Sequence, residues 1–407
     1  LVKKIFSLYI LFIFVIIASL SNSAYSRNVN IVSWGGAYTE AQQFSMGAYY
    51  QKQSGKKLNW IDYSGGLTDV KKNKNQWDIV DLYARDVEEG CKEGLFVKLN
   101  LNEFPSAPDG TPATEDLILP GNTGCSVGAI FYSWVPAYST KVFKYGQKPS
   151  TAEDFFNVKE YPGVRSIYDN AMSNLELALV ADGVDPIDVY DYMSLNGIKR
   201  ALTKIKDLCE DPKGGCIYWS AGAQPAKQIE NGQAVMATGW NGRFFNAIEK
   251  ENFKIELMND AHLLDHEYFA VVNGPNQKAA IEALKLMTST EASANMAKYI
   301  AYSPVRLSSH ELIEKNEPWF EDYPNKSVSK YLPASKNNLN SAMIMDAEWW
   351  SLNYSAVEDS WEKLKYDGYV IDATIKKTNY SAYIHDAKIK NMALYDPIKK
   401  NNARSGR

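Results

Sequence analysis

The chain has 407 residues, enough for one large or two medium-sized cores, and its 45% hydrophobic and 23% charged residues match a globular protein. A formal net charge of -4 gives no electrostatic footprint for nucleic acid. Ten Trp and 26 Tyr exceed what a core needs, since each carries a polar atom that must find a partner when buried.

The first predicted element is an export signal. Lys3 and Lys4 precede an apolar run over residues 5–20, and Ala24 and Ser26 put small residues on either side of Tyr25. That run falls short of the ~20 residues that span a bilayer comfortably. Residues 1–26 are therefore expected to be removed near Ser26, leaving an exported, periplasmic protein; a retained anchor is the alternative. Residues 29–34 then predict a buried strand ended by Gly35-Gly36, with a helix over 38–53 closed by Gly55. Residues 58–63 and 77–82 predict two more strands, and 87–93 a helix. Such alternation implies an α/β fold with helices on both faces of a parallel sheet, which binds ligands beyond the carboxyl ends of its strands. Residues 34–38, 64–66 and 83–85 should cluster there.

A second α/β region begins near Gly128. It carries a capped helix over 150–156, a helix over 175–181, one ending near Cys209, and a strand over 234–240 fed by a helix that Gly232 terminates. Helices over 279–287 and 291–300 follow, the latter capped by Thr288 and Ser289. From Gly368 the chain turns basic, Asn-rich and Tyr-rich, so residues 367–407 form a C-terminal extension.

Cys209 and Cys216 flank the turn-rich Glu-Asp-Pro-Lys-Gly-Gly, which suits a disulfide in an oxidising compartment; Cys91 and Cys125 then pair by elimination. A zinc site is the competing reading. It lacks a C-x-x-C spacing, and the residues between His262 and His266 do not follow the zinc-protease pattern. No metal, cofactor or catalytic residue is assigned.

Several short motifs, in order and spacing over residues 29–366, resemble the periplasmic binding proteins of polyamine (spermidine/putrescine) ABC importers. They include Ser33-Trp34-Gly35-Gly36-Ala37-Tyr38, Trp77-Asp78-Ile79-Val80-Asp81, Gly239-Trp240-Asn241-Gly242-Arg243, Glu267-Tyr268-Phe269-Ala270-Val271 and Ala301-Tyr302-Ser303-Pro304-Val305. The resemblance implies a two-lobed type II periplasmic-binding-protein fold whose hinge is crossed twice, near 129 and 241. Lobe 1 would comprise 27–128 and 242–290, and lobe 2 129–241 and 291–366. It further implies a monomer that closes on a small amine-bearing ligand and docks on permease subunits.

The same resemblance places aromatic walls at Trp34 and Tyr38, a platform at Trp240, a ligand-facing Tyr302 and an ammonium partner at Glu267. Asp81 or Tyr83 would join from the loop after the third strand, although Asp81 equally reads as a structural carboxylate. Trp219 reads as wall or core. Arg243 departs from the pattern: polyamine binders commonly place a second carboxylate three residues after the platform Trp. Its planar fork suits a carboxylate and repels a second ammonium, unless it turns outward or pairs with Glu267. Ser173 and Asn174 likewise stand where the family has an acid, with Glu176 displaced. A zwitterion such as 4-aminobutyrate therefore competes with putrescine and spermidine. Other readings are a hydrolytic enzyme, for which no nucleophile elbow, Walker loop or zincin helix is present, a partner of a membrane receptor, and a ferric-ion binder, whose adjacent tyrosines are matched only by Tyr49-Tyr50 in the first helix.

Overall fold

The computed structural model describes residues 27–118, 124–144, 146, 148–258, 262–322, 324–335, 338, 342–367 and 374–377. The export signal expected at 1–26 and most of the extension expected at 367–407 lie outside the described residues. Among the described residues, no helix is long and apolar enough to cross a membrane.

Three short strands, β1 (Val29–Ser33), β2 (Leu58–Asp62) and β3 (Ile79–Tyr83), pair in parallel around β1. Beyond β3 the sheet turns antiparallel through two long strands, β4 (Ser126–Ser139) and β9 (His262–Val271). On the far side lie β5 (Arg165–Tyr168), β6 (Cys216–Trp219) and β7 (Met236–Trp240). The order is β2-β1-β3-β9-β4-β7-β5-β6, with β8 (Ile255–Leu257) beside β4 and β10 (Ala342–Ile344) beside β9. Every residue of β4 and β9 is buried. Strands covered on both faces read as continuous apolar runs, as β4 does from Gly128, where the second region was expected to begin.

β4 and β9 belong to both halves of the molecule. Val271 to Glu267 pair with β3, and further back Leu263 faces Trp134 of β4, which also faces Trp240 of β7. The chain therefore passes between halves within β4, where the register shifts between Gly128 and Ile130, and returns within β9. The second passage expected near 241 is displaced. The helix Asn241–Glu249 stays with the β7 half, because Phe244 and Ala247 bury against Val135, Ala137 and Ile255. The helix Thr290–Met296 conversely packs toward the first half, where Met296 meets Ser45 (3.4 Å).

The expected first helix is interrupted. Gly36–Gln42 and Ala48–Ser54 are α-helical, joined by a π turn, Gln43–Gly47, in which Ser45 donates to the Ala41 carbonyl (2.6 Å). Ser289 stands at the start of Thr290–Met296, but its hydroxyl serves the Leu286 carbonyl and not the helix. Cys91–Cys125 and Cys209–Cys216 are both bonded, with Cα–Cα separations of 6.0 and 4.7 Å. His262 and His266 sit on β9, a strand and not a helix, and His262 Nε2 meets the Asn338 carbonyl (2.9 Å).

Candidate functional site

The carboxyl ends of β1 and β3 open onto the line where the halves meet. After Trp34 the chain turns through Gly35 and Gly36, both at positive φ (73° and 54°), into the helix that carries Tyr38. A side chain at 36 would be strained by that φ and would crowd Arg243 of the opposite half, its Cβ lying 3.0 Å from Nη1. That close approach lets Arg243 Nη2 donate to the Gly35 carbonyl (2.9 Å), so the guanidinium ties the β7 half to the β1 half.

A cavity with about 20 Å³ of space for water-sized spheres lies beside this bridge, lined by Trp34, Tyr38, Tyr83, Ile130, Tyr132, Trp240, Arg243, Glu267 and Tyr302. That is room for about one water molecule, so the walls lie close against each other in this arrangement. Two wider grooves, one by Glu249, Lys330 and Tyr331 and one by Glu115, Glu311 and Lys315, gather none of the expected site residues except through the fold. The walls are aromatic pairs: Trp34 lies 4.6 Å from Tyr83 between ring centroids, and Tyr38 lies 5.4 Å from Tyr302, edge to face.

Strand alternation sets the charges. Glu267 stands on β9 directly opposite Tyr83 on one side and Ile130 on the other. Asp265, two residues back, shares its face, and Asp81 is its diagonal neighbour on β3, a placement that sets Cα atoms roughly 7–8 Å apart. Glu267 is 4% exposed and its Oε2 has no hydrogen-bond partner. Burial, then the Asp81, Asp265 and Asp86 carboxylates, push its carboxyl well above the usual range. Asp81 is fully buried; burial raises its carboxyl to about 7 against the donors Tyr38 Oη (2.8 Å) and Gln42 Nε2 (2.7 Å), and its Oδ1 has no partner. The Trp34 indole N–H lies close enough to both carboxylates to oppose these rises, but meets hydrogen-bond geometry with neither. Burial lifts the Tyr302 hydroxyl to about 12, with Arg243 pulling the other way. Arg243 Nε and Trp240 Nε1 are also buried without partners.

Seven of the eight expected residues, Trp34, Tyr38, Tyr83, Trp240, Arg243, Glu267 and Tyr302, thus surround one cavity. Asp81 does not line it: the carboxylate sits behind Tyr38 and bonds the Tyr38 hydroxyl from the rear. Trp219 packs behind Trp240 (5.4 Å, 88°) and against Tyr168 (4.7 Å), in the core and not on the wall. Arg243 neither turns outward nor pairs with Glu267 in an ion pair. Ile130 and Tyr132 were not foreseen. A strand that passes between halves near 129 must lay alternate side chains into the gap, which is the signal that identifies them.

A family model described as bacterial extracellular solute-binding protein matches residues 46–327. The chain belongs to this family. This solute-binding protein is 32% identical over 334 residues to the gamma-aminobutyric acid-binding protein of Pseudomonas aeruginosa, a match covering 80% of this chain and 88% of the relative. Among solved structures it resembles an ABC transporter substrate-binding protein from Bradyrhizobium japonicum (27% identity, TM-score 0.71, 83% of this chain and 98% of that one). It also shares the fold of the Atu4243-GABA receptor (23% identity, TM-score 0.68, 85% and 100%). The sheet of this solute-binding protein, with two halves joined through β4 and β9, is the two-lobed type II architecture.

Proposed function

We propose that this solute-binding protein captures a short ω-amino acid, 4-aminobutyrate being the model ligand, outside the cytoplasmic membrane and delivers it as a monomer to the permease subunits of an ABC importer. One observation carries the reading: a single aromatic-walled cavity brings together a carboxylate with a bare oxygen, Glu267 Oε2, and a guanidinium with a bare donor, Arg243 Nε. Arg stays charged at any physiological pH, so it asks for an anion, and Glu267 accepts an ammonium. The Trp and Tyr faces between them suit the methylene stem and add roughly 0.5–2 kcal/mol of cation–π attraction near the ammonium end. The name of the Pseudomonas aeruginosa relative points the same way.

Trp34, Tyr38 and Tyr83 come from one half and Trp240 and Arg243 from the other, so a bound ligand favours the closed arrangement by touching both. A polyamine is the second reading, favoured by the diagonal carboxylates Asp81 and Glu267 and opposed by Arg243. A thermal-shift screen of the purified protein with 4-aminobutyrate, putrescine, spermidine and betaines separates the two. A ligand at 100 times its Kd adds about 2.7 kcal/mol, enough to read. Stabilisation by 4-aminobutyrate supports the proposal; stabilisation by polyamines alone overturns it.

A further inference from the structure

We infer that Asp81 and Glu267 share a single proton when the cavity is unliganded, and that an arriving ammonium group displaces it, so that ligand capture releases a proton. This inference rests on the ω-amino acid reading and adds to it a coupling that the walls and the arginine do not require.

The geometry is that of two buried carboxyls on neighbouring strands, Glu267 in the cavity wall and Asp81 behind it. They are diagonal neighbours across β3 and β9, fully buried and 4% exposed respectively, and each keeps one oxygen, Asp81 Oδ1 and Glu267 Oε2, without a partner. Donors to Asp81 Oδ2 are neutral. Tyr38 and Gln42 come from the helix after β1, and the Ser33 hydroxyl, 3.5 Å away, gives its proton to Gln42 Oε1 (2.6 Å). The Tyr63 hydroxyl serves the Asp81 backbone carbonyl and not the carboxylate.

The remaining charged groups around the pair leave it uncompensated. Asp265, on the same face of β9, is tied to the Tyr132 hydroxyl (2.5 Å) and the His266 amide (2.8 Å) and adds negative charge. His266 is buried, and that burial lowers its pKa, which keeps the ring neutral. Asp86 lies beside Arg85 (3.6 Å), so that cation is already matched. Arg243 lines the same cavity but spends one donor on the Gly35 carbonyl, lies beside Tyr302 and forms no ion pair with either carboxylate. No Lys or Arg forms an ion pair with Asp81 or Glu267 among the described residues. Two buried carboxylates on adjacent strands, with no cation paired to either, resist ionising together, and one of them keeps a proton. The raised carboxyls of both residues agree with this arrangement. An ammonium group against Glu267 supplies the missing cation. The second carboxyl then ionises, its O–H bond breaks, and the proton passes to buffer.

The test is titration calorimetry of the purified protein with 4-aminobutyrate near pH 7, in phosphate and in Tris, whose heats of protonation differ widely. The expected result is a binding enthalpy that shifts with buffer by the heat of up to one proton released per ligand, and that ceases to shift in Asp81→Asn. Should that variant not fold, the wild-type Kd against pH carries the same information. It should weaken by up to tenfold per pH unit as pH falls below the pair's range near 7. Equal enthalpies in both buffers with normal binding, or a Kd flat between pH 5.5 and 8, overturn the inference and leave the ligand assignment standing. No binding of 4-aminobutyrate overturns the assignment and the inference together.

Discussion

On the proposed function Arg243 has two partners to serve, a ligand carboxylate and the Gly35 carbonyl, and the two can be separated by experiment. Arg243→Ala removes the Nη2 donation to Gly35 (2.9 Å) whatever the ligand, because that bond joins the two halves. A hydrogen bond to a charged group contributes about 1.5–3 kcal/mol when fully buried; Arg243 is only partly buried, so the low end applies, about tenfold in Kd. The ligand carboxylate suffers more. Truncating one partner of a buried charge pair costs about 2–5 kcal/mol, chiefly because the other charge is left dry and alone. Affinity for 4-aminobutyrate should therefore fall about 10²- to 10³-fold. Butylamine keeps the ammonium and most of the stem but has no carboxylate, so it binds the wild-type protein weakly and loses only the closure contact in the variant. Calorimetry of both ligands on both proteins closes a cycle whose coupling should reach about 2 kcal/mol, roughly 30-fold. If the two ligands weaken by the same factor, Arg243 serves closure alone and the carboxylate assignment is wrong.

Other expectations follow from particular contacts. Gly242→Ala places a Cβ 2.4 Å from Tyr302 Cε1, so this ring of the cavity wall must give about 1 Å. The protein should stay folded, since the alanine's helix preference offsets part of about 1–3 kcal/mol of overpacking, while 4-aminobutyrate affinity drops at least tenfold. Calorimetry beside a thermal melt reads both. Glu176 sits away from the cavity, buried with Trp350 Nε1 and Tyr190 Oη both 2.7 Å from Oε1, and burial lifts its carboxyl from 4.5 to about 7. The folded chain thus holds more proton than the unfolded chain between those values, so this group's contribution to stability declines as pH rises from about 4.5 to 7. Glu176→Gln should match wild type in melting temperature at pH 4.5 and exceed it at pH 8; equal differences at both pH values refute the titration. Removing Cys91–Cys125, which closes 34 residues, should cost about 4 kcal/mol, against about 2 for Cys209–Cys216, which closes 7. Paired Ser variants melted side by side test that order.

The sequence carried the local chemistry of the site better than its topology. Strands ending in Gly-Gly announced where the chain would turn, and Trp34, Tyr38 and Tyr83 could be placed because parallel strands bring their carboxyl ends together. Arg243 was legible as a departure in charge. The second passage between halves was not, because a helix that starts right after Trp240 looks the same whether it continues in one half or enters the other; its burial against Val135 and Ala137 is a tertiary fact. Asp81 was left open between wall and structural carboxylate, and it takes the structural place one layer back. Alternation tells which face a strand residue takes, but only the Tyr38 hydroxyl, reaching back from a helix, shows that the carboxylate is screened from the cavity. Ile130 and Tyr132 were overlooked because they lie in the middle of an apolar run, where sequence offers no reason to separate wall from core.

That central run explains why this arrangement can couple capture to closure. Glu267 belongs neither to one half nor to the other: it sits on β9, between β3 and β4, on the segment that both halves share. An ammonium group bound there engages the hinge without favouring either position of the halves. What the meeting of the halves adds is the Arg243 bond to Gly35, which spans them. A ligand that bears a single cationic end satisfies the hinge and leaves the bridge as it was. One that also presents a carboxylate at the right distance adds its binding energy to the contact that spans the halves, and only such differential energy shifts the equilibrium. Chain length then becomes the selector. A stem too short leaves the carboxylate away from Arg243, and one too long holds Trp240 and Arg243 off the Gly35 turn.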